Sequence, residues 1–444
     1  MIKHKSIRIA VMIAAALAAS GCGVFKKGKT STTPVLGQRI AVLTSESDVE
    51  VDPATAALPM TLPQPVANTD WNQSGGNASK SMGQLALGGR PIRIFSVNAG
   101  RGSSLTARLA SAPIVSNGRV FTIDTLGTVR AFDANTGAQA WATQTPTERG
   151  DQAAMYGGGI AYDNGRIYAT NGLGFVVALD ERNGGKVWQV RPGGPLRGAP
   201  SVGFGAIYVI SQDNQIFSLS EANGSTNWSE AASLEIAGVF GSASPAIGQG
   251  TVVAGFSSGE LNAYRYENGR QVWSDTLMRT SIRTSVSSLT DVDADPVVDN
   301  GQVFAVGQGG RMVALDLITG QRLWELNIAG IDTPWLAGDW IYVITDEAKL
   351  LCIYRQNGHI RWINQLPQFI KAKSKKGEIE YSGPVLAGGR LIVTGSNGAL
   401  IYIDPMTGKL QSQTDLRVPV SLAPVVANST LYIYDDRGQL HAFR

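Results

Sequence analysis

Six tryptophans recur at one place in a repeated phrase, and that repeat leaves few folds open. Its clearest copies read GRVFTIDTLGTVRAFDANTGAQAW, ending at Trp141, and GQVFAVGQGGRMVALDLITGQRLW, ending at Trp324. Others close at Trp188, Trp228, Trp273 and Trp362, so that successive tryptophans stand 38 to 51 residues apart. A repeat of about 40–45 residues built from short alternating strands is the signature of a β-propeller blade.

Aligning the whole phrase, rather than its tryptophans, extends the count. Each copy opens on a small residue and proline or an equivalent (SAPIV, GAPSV, ASPAI, ADPVV, SGPVL, LAPVV) and runs through two turns before the tryptophan strand. Openings fall near Ala112, Gly158, Gly198, Ala243, Ala294, Asp332, Ser382 and Leu422, which makes eight copies. The seventh carries Ser412 where tryptophan would fall, and the eighth stops at GQLHAFR, its outermost strand missing. A candidate for that strand lies near the front: PIRIFSVNAG, residues 91–100, matches a tryptophan strand with Phe95 in the tryptophan position. The sequence therefore predicts an all-β chain, an eight-bladed β-propeller of four-stranded antiparallel blades. An N-terminal strand closes the ring near Leu440 and removes an exposed sheet edge.

The repeated residues have physical roles. Glycine in NTG, ENG or ITG supplies the positive φ of a tight hairpin. Trp141, Trp188, Trp228, Trp273, Trp324 and Trp362, with Phe95, are expected to fill the gaps between blades as structural residues, not as a cofactor box. Asp133, Asp180 and Asp316 recur at one turn position per blade, which reads as turn capping rather than a converging metal cage.

Fifty-two glycines among 444 residues fit many short strands joined by tight turns. The formal charge of +3 comes from residues 1–21, which carry Lys3, Lys5 and Arg8; the rest holds 35 basic and 35 acidic side chains. A neutral chain offers no electrostatic footprint for nucleic acid. Residues 1–21 have the layout of a secretory signal: a basic start, an apolar run from Ile9 to Ala19, then Ser20-Gly21 before Cys22. The stretch is too short to span a membrane. It resembles a bacterial lipoprotein signal, which makes Cys22 the lipid attachment site, with Gly23 favouring the outer membrane. Residues 22–68, lysine-containing and then proline-rich, are expected to form an extended lipidated tether, and 69–444 the propeller. The second cysteine, Cys352, sits in an apolar run and reads as a buried small hydrophobe.

Quoted together, ALDLITGQRLW, AFDANTGAQAW and ALDERNGGKVW resemble the repeat of the pyrroloquinoline-quinone-type eight-bladed propellers. That resemblance covers about residues 91–444 and is specific for fold, not function. The enzymes of that superfamily stack the quinone on an adjacent-cysteine disulfide, bind calcium and use an aspartate base. No adjacent cysteines occur here, and beyond the signal the histidines are His359 and His441, both on repeat strands. No catalytic residue, metal ligand or cofactor is predicted. The lipoprotein signal followed by eight such blades resembles instead the BamB family of outer-membrane β-barrel assembly lipoproteins, and LTDVDADPVVDNGQVFAVGQGGRMVALDLITGQRLW at 289–324 follows its fifth-blade region. The resemblance implies a non-enzymatic scaffold facing the periplasm from the outer membrane. Its partners would be the barrel-inserting subunit, through that subunit's periplasmic domains, and unfolded outer-membrane proteins. It also implies partner contacts at Asp291 and Asp293, and at Leu234 and Ile236 in a loop where Ala237 replaces the family's arginine. Arg279 and Arg283 are candidates to compensate. A quinone-dependent oxidoreductase and an envelope ligand-binding propeller are the alternatives.

Overall fold

The computed structural model describes residues 49–147, 154–196, 198–234, 243–278 and 290–444. The signal, Cys22, Ile236, Arg279 and Arg283 lie outside the described residues.

Within them, eight four-stranded antiparallel sheets follow one another along the chain. Blade 1 shows the pattern, with strands Ile114–Ser116, Arg119–Ile123, Thr128–Asp133 and Gln139–Gln144 ordered from the axis outward. The inner strands are three to seven residues long and largely buried, whereas the outer strands are mostly exposed, with the tryptophan, where present, buried or half-buried. Blade 8 takes Val425–Ala427, Thr430–Tyr434 and Gln439–Phe443 from the C-terminus and Arg93–Asn98 from the N-terminal side. The closing strand pairs Phe95 with Ala442. The other blades use the same register, pairing Ala131 with Trp141 and Ala314 with Trp324, and a bulge follows in each. Phe95 thus holds the tryptophan position of blade 8.

Each indole reaches across to the next blade. Its Nε1 donates to the carbonyl just after the third strand there: Trp141 to Glu181 at 2.9 Å, Trp188 to Glu221 at 3.0 Å, Trp228 to Tyr266 at 2.8 Å. Trp273 donates to Leu317, Trp324 to Arg355 and Trp362 to Pro405, at 2.8, 2.7 and 3.1 Å. The ring lies on the glycine of that next turn. A Cβ on Gly320 would sit 2.5 Å from Trp273 and one on Gly408 2.5 Å from Trp362, so glycine is required there for room as well as for its φ of about +70°. Phe95 packs in the same way on Gly137 of blade 1.

Ser412 breaks the rule for a reason visible in blade 8. Its last two strands, Gln439–Phe443 and Arg93–Asn98, are distant in the chain and meet through paired backbone hydrogen bonds between Arg444 and Ile92, so no hairpin turn joins them. An indole on blade 7 would find neither turn carbonyl nor turn glycine. Tyr402 stands opposite Ser412, where tryptophan blades carry a small residue such as Ala263 or Cys352. Cys352 is the small partner of Trp362, and burial pushes its thiol far above the ordinary range.

The stretch before the closing strand circles the axis. Asn68 accepts from Asn428 of blade 8, and Trp71 exchanges two backbone hydrogen bonds with Val115 of blade 1. Asn72 accepts from Tyr162 of blade 2, and the Gln73 amide pairs with both backbone groups of Val202 of blade 3. Ala78 and Ser79 accept from Ile247 and Val298 of blades 4 and 5. Gly83 accepts from the Trp335 indole of blade 6, and Leu85 bonds Leu386 and Gly388 of blade 7. Residues 68–85 therefore touch all eight blades in ring order.

The expected tether ended at residue 68, but residues 49–68 lie on the folded body. Val51 adds a parallel bridge to Ile360 on the outer strand of blade 6, and Asp52 caps the short helix Pro53–Ala56 through Thr55. Arg361 holds the carbonyls of Thr55 and Leu58 while its guanidinium covers Trp340. The proline content that suggested a spacer instead fits an extended strap, whose backbone needs few internal hydrogen bonds.

Candidate functional site

Strand polarity sorts the loops onto two faces. Turns joining strands one to two and three to four lie on one face; turns joining two to three, and the connections between blades, lie on the other. The between-blade connections are the longer and more varied, so they are where chemistry could be built on this frame.

On the turn face the recurring aspartates cap. Asp316 Oδ1 accepts from the backbone of Ile318 and Thr319 and from the Thr319 hydroxyl, at 3.1, 2.8 and 2.8 Å, and Asp133 and Asp404 repeat the arrangement. Threonine hydrogen bonds hold the carboxyls of Asp133 and Asp316 below the ordinary value. His359 faces Asp52 at 3.3 Å and His441 faces Asp435 at 2.9 Å, on separate blades. Among the described residues, no group of three or more histidine, cysteine, aspartate or glutamate residues could hold a metal ion.

The connection face opens into a central funnel of about 290 Å³, floored by the axial segment. Trp71 and Trp335 stack across it with centroids 6.1 Å apart and planes 17° from parallel. Beneath them Lys80 is fully buried, its Nζ 3.1 Å from Ser201 Oγ. Burial lowers the Lys80 pKa to about 8, opposed by the charge of Asp295. Burial raises Asp295 in turn, against the pull of Lys80 and hydrogen bonds from Ser74 and the Ser244 amide, each 2.6 Å. Nearer the mouth, Asp332 accepts from the Gly383 amide at 3.3 Å, and burial pushes it up to about 7. A quinone with its metal would need converging oxygen ligands and a stacking platform. Asp295 is already committed to Lys80, Ser74 and Ser244, and no adjacent-cysteine disulfide can form, so the residues present do not fit that group.

The loops expected to meet a partner lie on this same face, on neighbouring connections. Leu234 is 77% exposed, on a loop anchored by Ser233 bonding Glu260. The second loop departs from expectation: Asp291 is fully buried, its carbonyl accepting from Gln308, and Val292 is clamped in the core by a hydrogen bond to the Phe256 carbonyl. Asp291 and Val292 are both packed inward, and of the acidic pair only Asp293 lines the funnel. The structure brings Leu234 and Asp293 to one face but does not present Asp291 there. The axial segment and the Lys80–Asp295 pair were missed; the segment is marked only by the polar, glycine-containing run DWNQSGGNASKSMG at 70–83, which lies outside the repeat phase, and nothing in it marks Lys80 as buried.

The model of the family described as outer membrane protein assembly factor BamB matches residues 70–154, 127–364 and 371–444. The chain belongs to the BamB family. The BamB of Vibrio cholerae is 30% identical over 333 residues, 74% of this chain and 82% of its own length. Among solved structures, BamB from Moraxella catarrhalis superposes with a TM-score of 0.66 at 18% identity, over 80% of this chain and all of that one. A europium-containing methanol dehydrogenase gives 0.67 at 14% identity, over 84% of this chain and 98% of its own. At those identities the two structural likenesses concern the fold alone. BamB membership rests on the sequence match.

Proposed function

We propose that this protein is a non-enzymatic scaffold for outer-membrane protein assembly. Acylated at Cys22 and facing the periplasm, it binds the barrel-inserting subunit through its connection face and assists insertion of outer-membrane proteins. Family membership supports the role. The observation that carries the surface is the placement of exposed Leu234 and funnel-lining Asp293 on adjacent connections of one face.

The test is capture of the barrel inserter by the tagged lipoprotein. Leu234→Asp with Asp293→Arg is expected to weaken capture about tenfold or more, as for a lost apolar contact and a reversed charge at an interface. Undiminished capture would overturn the surface while leaving the general role intact. Cys22→Ser is expected to move the protein out of the membrane fraction. Pyrroloquinoline quinone with calcium is expected to leave the melting temperature unchanged, whereas a rise would favour the oxidoreductase reading.

A further inference from the structure

Between blades 6 and 7 the connection grows a feature with no counterpart among the other described connections. Phe369–Lys371 and Lys376–Glu378 form a small antiparallel hairpin, tipped by a short 3-10 turn at Ala372–Ser374. Its stem is anchored: Ile379 is buried and bonds the Gln368 carbonyl, and Tyr381 bonds the Pro367 carbonyl at 2.9 Å. Beyond the stem, every residue from 371 to 378 is exposed.

Charge marks this tip out. Of the eight lysines from residue 49 onward, four are Lys371, Lys373, Lys375 and Lys376. Glu378 is the one acid among residues 369–378. Some arginines are tied into the frame, as Arg355 is to Asp299 at 2.8 Å and Arg322 to Asp275. The tip lysines make no such ion pair among the described residues. Ile370, 65% exposed, adds an apolar side chain beside them. The chain's other lysine cluster, Lys26, Lys27 and Lys29, directly follows Cys22.

We propose that the hairpin tip is a second membrane contact, which seats its lysines among anionic phospholipid headgroups with Ile370 at the acyl boundary. Lysine suits a diffuse anionic surface, being a flexible point charge where arginine favours bidentate partners. Basic residues near an anionic leaflet act additively, and an adjoining apolar side chain adds burial. A lipid anchor holds the chain at a single point; a basic tip on the connection face would add a second. The inference draws on the lipid-anchor reading only for proximity.

The test uses the chain lacking residues 1–22, which keeps every described residue and has no acyl group. Its flotation with vesicles containing phosphatidylglycerol is compared with vesicles of phosphatidylcholine alone. Binding is expected with the first, weakening as salt is raised and absent with the second. Changing Lys371, Lys373, Lys375 and Lys376 together to Gln is expected to reduce binding roughly thousandfold. Arginine at the same four positions should retain it, and Ile370→Ser should weaken it partially. An unchanged melting temperature establishes that the fold is intact. Equal binding to both vesicles, binding indifferent to the Gln changes, or no binding by the parent chain would each overturn the proposal. So would Gln variants that keep vesicle binding but lose capture of the barrel inserter, which would make the tip a protein contact. Failure here leaves acylation at Cys22 untouched.

Discussion

At the residue scale, the unit of cohesion is an indole on one blade, a glycine on the next, and a carbonyl beside it. Trp273, on Gly320 and bonded to the Leu317 carbonyl, is representative. Trp273→Ala is expected to cost about 3–5 kcal/mol in urea unfolding. Gly320→Ala should also destabilise, since its φ is +71° and its Cβ would collide with that ring. Ser412→Trp should bring no gain, because blade 8 has no turn to receive it. The buried carboxyls give a pH dependence. Asp332 and Glu221 are each raised to about 7, mainly by burial. Each folded pKa lies above the unfolded value, so the folded state holds its proton more tightly. The stability this confers is full below about pH 4 and is lost as pH rises from there through about 7. Lys80, lowered to about 8, has the opposite sense, but its cost is constant below that pH and adds no slope there. The turn aspartates, held low, withdraw their stability only in stronger acid. The melting temperature is therefore expected to fall between about pH 4 and 7, and Asp332→Asn to flatten that fall. An unaltered slope would remove Asp332 from the account.

At the element scale, the repeat was legible because each blade solves the same packing problem with the same residues. Phe95 could be assigned to the tryptophan position from its strand alone, and the register with Ala442 shows why: a large ring faces a small residue, as in its neighbours. The axial segment could not be read that way. Its backbone bonds a different blade every few residues, so no periodicity marks it, and Lys80 carries no signal that it would be buried. Asp291, which the family resemblance implied as a partner contact, is buried instead, and its sequence position alone does not show which way its side chain packs. The segment's contacts predict that it stabilises the ring as a whole. Gln73→Ala would leave the Val202 amide and carbonyl unpaired and cost about 1–3 kcal/mol. Unfolding should remain one transition, monitored by tryptophan fluorescence and circular dichroism alike. A separate early transition would mean that the segment merely decorates the channel.

At the scale of the whole molecule, both ends of the described chain serve closure. The strand at Arg93–Asn98 completes blade 8, and the stretch before it binds every blade from within. Turns and caps occupy one face; the funnel, Leu234, Asp293 and the lysine hairpin occupy the other. Family and fold were readable from the repeat, whereas the working face depends on which loop side chains turn outward, and that needs the assembled ring. The measurement that bears most directly on the account is co-purification of the barrel-inserting subunit with this protein from its own membranes, parent against Leu234→Asp/Asp293→Arg. The account predicts stoichiometric capture by the parent and about tenfold less by a variant with the same melting temperature. Failure of the parent chain to capture the inserter would contradict it.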